Sequence, residues 1–417
     1  MKAYREIYEP VADDVSFLWI LRNLVVDRPD YNSADLAELD ARIDSAFNAL
    51  MTAPEESWSI CSNAMSVQQS GEIFAAANIA FRSLDVRKIQ QVVDAGIQSK
   101  ESLLGLAGAL AWLPGRLCHS WIKKFLTSKD LDHKYLAVVA CSLRREDPRE
   151  YLNMIVQRED CIAHQLLYAR SLRLIGELKR TDLTPALHVA LQSKDPAILF
   201  WAAWSSTILG DKSVINNLKT FVLSENPYQT WAIDLAFRVL PVDEAREWIN
   251  LLAKKSQHAR QVIQASAAFG DPQAINWLIS QMRIPTLMRL AGEAFSTITG
   301  IDLEEHKLAL DELPQLDDQL PVAAANDDLL DDDFNLSDDD HLPFPNVDKI
   351  AAVWQRYQQR FIPGWRYFMG QQLNSEHLFN IYASGNQRQR RAAALELALL
   401  EPEQYLLNYA AKDGAEE

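Results

Sequence analysis

The chain has 417 residues, 48% of them hydrophobic, with 41 Lys or Arg against 57 Asp or Glu and a formal net charge of −16. That is enough apolar material for a large core, and a net charge of this sign repels nucleic acid. The charge is concentrated: Ile301 to Asp348 holds sixteen acidic residues and one lysine, so the remainder of the chain is close to neutral.

Residues 1–56 predict an N-terminal helical cap. One helix is expected around Val15 to Val26 and a second from an Asn32-Ser33 cap through Met51, with Phe17, Leu18, Leu21 and Leu24, then Leu36, Leu39, Ile43, Phe47 and Leu50, at helical spacing. The opening residues MKAYREIYEPVADD lack the basic start and apolar run of a secretory leader. The most apolar run, Leu103 to Leu113, is broken by Pro114 and is about half the length of a membrane span.

Residues 57–302 carry recurrent punctuation. Gly210-Asp211, Leu240-Pro241, Gly270-Asp271 and Gly300-Ile301-Asp302 fall about thirty residues apart, and looser breaks occur at Leu84-Asp85, Gly115, Arg145 to Pro148 and Gly176. Glycine closes helices in the left-handed conformation, Asp caps them, and Pro lacks an N–H to donate. In the stretch 193–222, Asp195 is placed to cap a helix starting at Pro196; Ile198, Leu199, Ala202, Ala203, Ile208 and Leu209 form its apolar stripe. Gly210 then ends it, and Val214, Ile215, Leu218 and Phe221 begin another. The stretch 256–282 repeats this order, and the small residues Ala202, Ala203, Ala265, Ala267, Ala268, Ala291 and Ala294 mark sites of close helix approach. About eight such units are expected.

Residues 303–346, with prolines at 314, 321, 343 and 345 and no helical stripe, predict an acidic flexible linker. Within it the run from Asp331 to Asp340 lacks the glycine turn and terminal Glu of a calcium loop, so solvated carboxylates are the expectation and no metal is assigned. Residues 347–417 predict a C-terminal helical segment: a helix from Val347 to Phe361, turns at Pro363-Gly364 and Gly370, and helices at Ser375 to Ala383 and Gln387 to Leu400.

No catalytic constellation stands out. The eight histidines have no ligand spacing, there is no phosphate loop or nucleophile elbow, and adjacent Cys118 and His119 diverge by about 100° on a helix. Four dispersed cysteines, Cys61, Cys118, Cys141 and Cys161, suit reduced core thiols in a cytoplasmic protein. No catalytic residue and no cofactor are therefore expected.

The paired-helix units resemble short HEAT-type repeats, with the early arginine of that pattern present at Ala259-Arg260 and Met288-Arg289 but absent at Phe200-Trp201 and Thr230-Trp231. That resemblance implies an all-α fold, a right-handed α-solenoid of HEAT-like helical pairs with helical N- and C-terminal caps, in which no unit buries its apolar face alone. A more particular resemblance lies in Gly292 to Phe295, Ile298-Thr299-Gly300, the acidic linker, the string PGWRYFMGQQL and the helix RQRRAAALELALL. These are similar to a bacterial HEAT-like-repeat family encoded near type VI secretion genes. The resemblance implies a cytoplasmic accessory protein, adaptor or chaperone, whose partner is a secretion effector or a tip or spike component. An immunity protein that binds a toxin, or an enzyme or lyase on the same frame, are the alternatives.

For a protein-binding scaffold, with no nucleic-acid or membrane partner, the candidate contact residues are Trp201, Trp204 and Trp231, with Trp248 and Trp277 as further aromatics, and Arg260 and Arg289 at equivalent repeat positions. Arg388, Arg390 and Arg391 are a second basic candidate, which together with Arg356, Arg360 and Arg366 would dock the acidic tract. In the scaffold reading the tract instead guards the face carrying Arg260 and Arg289.

Overall fold

The computed structural model describes residues 2–310 and 339–412; the greater part of the expected acidic linker, with most of the aspartate run, lies outside the described residues. The chain divides into two compact units, the first comprising the described residues of 1–205 and 405–417, the second those of 206–324 and 335–404.

In the first unit the helices are α1 (Lys2–Val25), α2 (Ser33–Leu50), α3 (Pro54–Ala64), α4 (Ser70–Ser83), α5 (Val86–Gly96), α6 (Lys100–Trp112), α7 (Gly115–Thr127), α8 (Leu131–Arg144), α9 (Glu150–Ile155), α10 (Glu159–Ala163), α11 (Gln165–Glu177) and α12 (Thr184–Ala190). The division between units falls inside α13 (Pro196–Ile208). The second unit continues with α14 (Ile215–Leu223), α15 (Gln229–Val239), α16 (Val242–Ala253), α17 (Ala259–Phe269), α18 (Ile275–Gln281), α19 (Met288–Thr299), α20 (Val347–Tyr357), α21 (Ser375–Ser384) and α22 (Gln387–Leu400). The described residues are thus mostly helical, and their one strand pairing is a hairpin of β1 (Tyr367–Phe368) and β2 (Gln371–Gln372).

Helix ends follow the local chemistry. Asn32 accepts from the amides of Ala34 and Asp35, and the Asp35 carboxylate accepts in return from the Asn32 amide, closing a capping box on α2. Asp195 accepts from the Ile198 amide at 3.0 Å, while Gly210, Gly270 and Gly300 close α13, α17 and α19 at φ of +95°, +73° and +69°. After two of these glycines an aspartate starts the next turn: Asp211 accepts from Ser213 and Asp271 from Gln273, each at 3.0 Å.

Alternate helices stack within each unit. In the first, α4 packs on α6, α6 on α8 and α8 on α11; in the second, α15 packs on α17 and α17 on α19. A helix with a neighbour on either side must bury nearly all of its surface, and α4 accordingly buries every residue from Ile73 through Phe81. Its follower α5 buries chiefly Ile89, Val92 and Val93 on one face. The alanines marked in the sequence serve this stacking, with Ala202, Ala203, Ala265 and Ala291 fully buried.

The margins of the expected linker are part of the fold, which differs from the boundaries 303–346. Leu303, Leu308, Leu342 and Phe344 are buried, the Leu310 amide donates to the Phe344 carbonyl at 2.7 Å, and the Asn346 amide donates to Leu308 at 2.7 Å. Leu303 and Leu308 join a core with Phe295, Ile298, Ile350 and Trp354, where each large apolar side chain contributes about 1.5–3 kcal/mol. These leucines carry no helical period, so local patterning conceals them.

The turn expected at Gly370 is the tip of the hairpin, where Met369 and Gly370 both have positive φ as a two-residue hairpin turn requires. This hairpin meets the exposed carbonyl ends of α17 and α19: Tyr367 donates to Gly270 at 2.9 Å, and Met369 donates to Thr297 at 2.6 Å. Arg366 finishes the same job, donating to the carbonyls of Arg238, Ala268 and Phe269 and pairing with Glu396 of α22. Among the described residues Arg366, expected to dock the acidic tract, thus caps helix C-termini, and residues 311–338 of that tract lie outside the description.

Candidate functional site

Arg260 and Arg289 are the second residues of α17 and α19, two helices that pack together, and both side chains reach Asp339. The first turn of a helix is an electropositive place with unpaired N–H groups, so an arginine there gains nothing from the helix dipole. What it gains is an anion. The Arg260 guanidinium grips the Asp339 carboxylate bidentately, at 2.6 and 3.0 Å, and also reaches the Thr286 carbonyl at 3.4 Å. Arg289 donates to the Asp339 carbonyl at 2.8 Å, stands 3.8 Å from the Asp340 carboxylate, and lies 3.9 Å from the centre of the Phe344 ring.

The two contacts differ in weight. The Asp339 side chain is 13% exposed and doubly bonded, the arrangement in which a charge-assisted pair contributes about 1.5–3 kcal/mol. Asp340 is 51% exposed at the longer separation, which is worth about 0–1 kcal/mol. Leu342 and Phe344, both buried, fasten the same segment from below. In this structure the two arginines thus hold the chain's own residues 339–344, a short acidic stretch followed by an apolar and an aromatic residue.

The other predicted contact residues go elsewhere. Trp201 and Trp204 are only 4% and 2% exposed; they meet edge to face at 5.5 Å, with the Arg173 guanidinium 4.7 Å from the Trp201 ring. They are core residues, because α13 buries the face that carries them, and Trp248 is buried as well. Trp231 is half-buried under the Arg391 guanidinium at 4.8 Å. Arg388 pairs with Glu293 at 2.7 Å, and Arg390 donates to the Tyr382 carbonyl at 2.9 Å while lying over its ring. Thus the described end of the acidic tract meets Arg260 and Arg289, while the basic cluster opening α22 engages other groups.

Cys118 and His119 do not form a nucleophile and base. The buried Cys118 thiol lies 3.7 Å from the Leu113 carbonyl and burial pushes it up to about 11, while His119 hydrogen-bonds Glu146 at 2.9 Å. Arg144 binds that same carboxylate at 2.8 Å and three carbonyls at the end of α6, which makes it a structural clamp. Among the described residues no group of three or more His, Cys, Asp or Glu is placed to hold a metal ion, and no helix is long and apolar enough to cross a membrane.

Sequence reasoning missed a deeply buried carboxylate. Glu177, fully inaccessible, pairs with Arg145 at 3.0 Å and Arg173 at 2.9 Å and accepts from Ser142. Burial would raise its pKa, but Arg145, Arg173 and Arg170 together with the Ser142 hydroxyl hold it below the ordinary value. Nothing marks it locally, since one Glu at the end of a helix reads as solvated.

Fold and site define a mostly helical protein in which two arginines hold a short acidic segment of the same chain. The chain has no significant match to any known protein family, curated protein or solved structure.

Proposed function

We propose that this chain is a non-catalytic protein-binding scaffold, its helical pairs wound as a right-handed α-solenoid of HEAT-like repeats. In this reading it is a cytoplasmic accessory protein of a bacterial type VI secretion system, an adaptor or chaperone that holds an effector or a tip or spike component before loading. The observation that carries the scaffold reading is the tandem arginine grip: Arg260 and Arg289, from equivalent positions of successive repeats, hold a backbone carbonyl and two carboxylates of one peptide segment. Repeated helices that present equivalent side chains along one line are suited to binding extended chains. The secretion-system assignment rests on the resemblance of the acidic linker, the PGWRYFMGQQL string and the last helix.

The test is affinity capture of the tagged full chain from its native host at low and moderate salt, beside an Arg260→Ala/Arg289→Ala variant. Recovery of a secretion tip protein or effector in near-stoichiometric amount, weakened by salt and by the double substitution, is the expected result. Capture of no such component by the wild-type chain overturns the proposal.

A further inference from the structure

The segment from Tyr405 to Lys412, part of the first unit, has no helix or strand and crosses the ends of several helices of that unit. The Leu406 amide donates to the carbonyl of Glu177, the last residue of α11, at 3.0 Å, and the Leu406 carbonyl accepts from Arg145 at 3.3 Å. Two residues on, the Asn408 side-chain amide donates to the Leu143 carbonyl at the end of α8 at 2.7 Å. Tyr409 then donates its hydroxyl to Asp27, just beyond α1, at 2.9 Å. Helix C-termini offer unpaired carbonyls and a partial negative charge, so a line of them is a ready acceptor for peptide donors.

The segment ends in a built lysine pocket. The Lys412 ammonium sits 2.7 Å from the Asp44 carboxylate of α2 and 4.6 Å from the centre of the Trp112 ring of α6. Trp112 fixes that carboxylate by donating its indole N–H to Asp44 at 3.0 Å. Arg82 stands 3.8 Å from Asp44, and Arg22 lies 5.7 Å from the Trp112 ring. A carboxylate beside an aromatic face is the environment that favours an ammonium group, and the Lys412 side chain is only 16% exposed there.

What sets this segment apart from residues 339–346 is how it is held. Leu342 and Phe344 are core residues, whereas no residue from 401 to 412 is buried. A stretch with no buried residue opens at lower free-energy cost than one anchored in the core. We infer that this line of the first unit is a peptide-recognition groove, which takes an extended segment of a partner protein bearing Asn-Tyr-x-x-Lys chemistry in exchange for the chain's own residues 405–412. The two acidic anchors, Asp27 and Asp44, and the row of carbonyls select a segment rich in donors, the opposite polarity to the Arg260–Arg289 site. The inference rests on the first unit alone and is independent of that site.

The probe is a fluorescein-labelled octapeptide with the sequence of residues 405–412, titrated by anisotropy into the full chain, with circular dichroism as the check of folding. In an Asn408→Ala/Lys412→Ala variant the internal competitor is weakened, and the peptide is expected to bind at least about tenfold tighter than to the wild type. Adding Asp44→Asn removes that gain, and so does a peptide with norleucine in place of its lysine, a control that leaves the protein unaltered. Peptide binding to the double variant that is absent, no tighter than to the wild type, or indifferent to the peptide's lysine overturns the groove.

Discussion

Arg289 lies 3.9 Å from the centre of the Phe344 ring and donates to the Asp339 carbonyl at 2.8 Å, so one side chain of α19 holds both the apolar and the polar end of a six-residue segment. A lysine cannot do both, because it lacks the planar fork that stacks on a ring while hydrogen-bonding in its own plane.

Replacing Arg289 by Ala is therefore expected to speed amide hydrogen exchange at Leu310 and Asn346, the two amides that tie the segment's base together, by about tenfold, a loss of about 1.4 kcal/mol of local stability. Arg289→Lys recovers little of this. Exchange at those amides that matches the wild type in Arg289→Ala shows that Leu342 and Phe344 alone hold the segment.

Gly270 and Gly210 end helices in the same left-handed conformation but in different surroundings. A Cβ on Gly270 would stand 2.3 Å from the Tyr367 carbonyl oxygen, whereas one on Gly210 meets nothing within 4 Å. Gly210→Ala is expected to cost about 1–2 kcal/mol, the conformational penalty alone, and Gly270→Ala distinctly more because the hairpin must also move. Urea unfolding of the two variants decides it; equal losses would mean the hairpin gives way freely.

Glu177 makes stability depend on acid. Its folded pKa lies below the ordinary 4.5, so its contribution is fully present above about that pH and is lost as the pH falls through the lower folded value. Glu177→Gln leaves Arg145 and Arg173 without their carboxylate and is expected to cost about 3–5 kcal/mol at neutral pH. The stability gap between wild type and variant then narrows below pH 4.5, as measured by denaturant unfolding across that range. A gap that stays constant down to strong acid contradicts the pairing.

All four cysteines are buried, and burial pushes the thiols of Cys61 and Cys141 up to about 12 and that of Cys118 to about 11. Because the thiolate is the reactive form, the native chain at pH 8 is expected to react with a thiol reagent such as DTNB only as fast as it unfolds, and all four thiols react at once in denaturant. A fast native fraction would reveal an accessible cysteine and an open form of the first unit.

Much of the helix inventory was legible because its signals are local. A glycine such as Gly270 at positive φ, an aspartate such as Asp195 bonded to an amide three residues on, and an apolar stripe such as that of α2 are each written within a few adjacent residues. The identification of Arg260 and Arg289 as equivalent positions came from the same periodicity. Their ligand was harder to see: Asp339 lies 79 residues from Arg260, and one aspartate among the sixteen acidic residues of that stretch looks like any other.

Burial and long-range pairing were decided only in three dimensions. Trp201 and Trp204 lie off the stripe expected for α13, on faces that read alike whether they meet solvent or a neighbour, and it is the packing of α13 that places them inside. The bridge between Ala309 and Pro345, the docking of the hairpin on α17 and α19, and the seating of Lys412 against Asp44 join residues far apart in the chain. Sequence alone determined many helix ends, such as those of α2 and α13, since capping and periodicity are short-range, although α1 starts at Lys2 rather than near Val15 as expected; which faces meet, and therefore which charges are held, depended on the free energy of packing the whole chain.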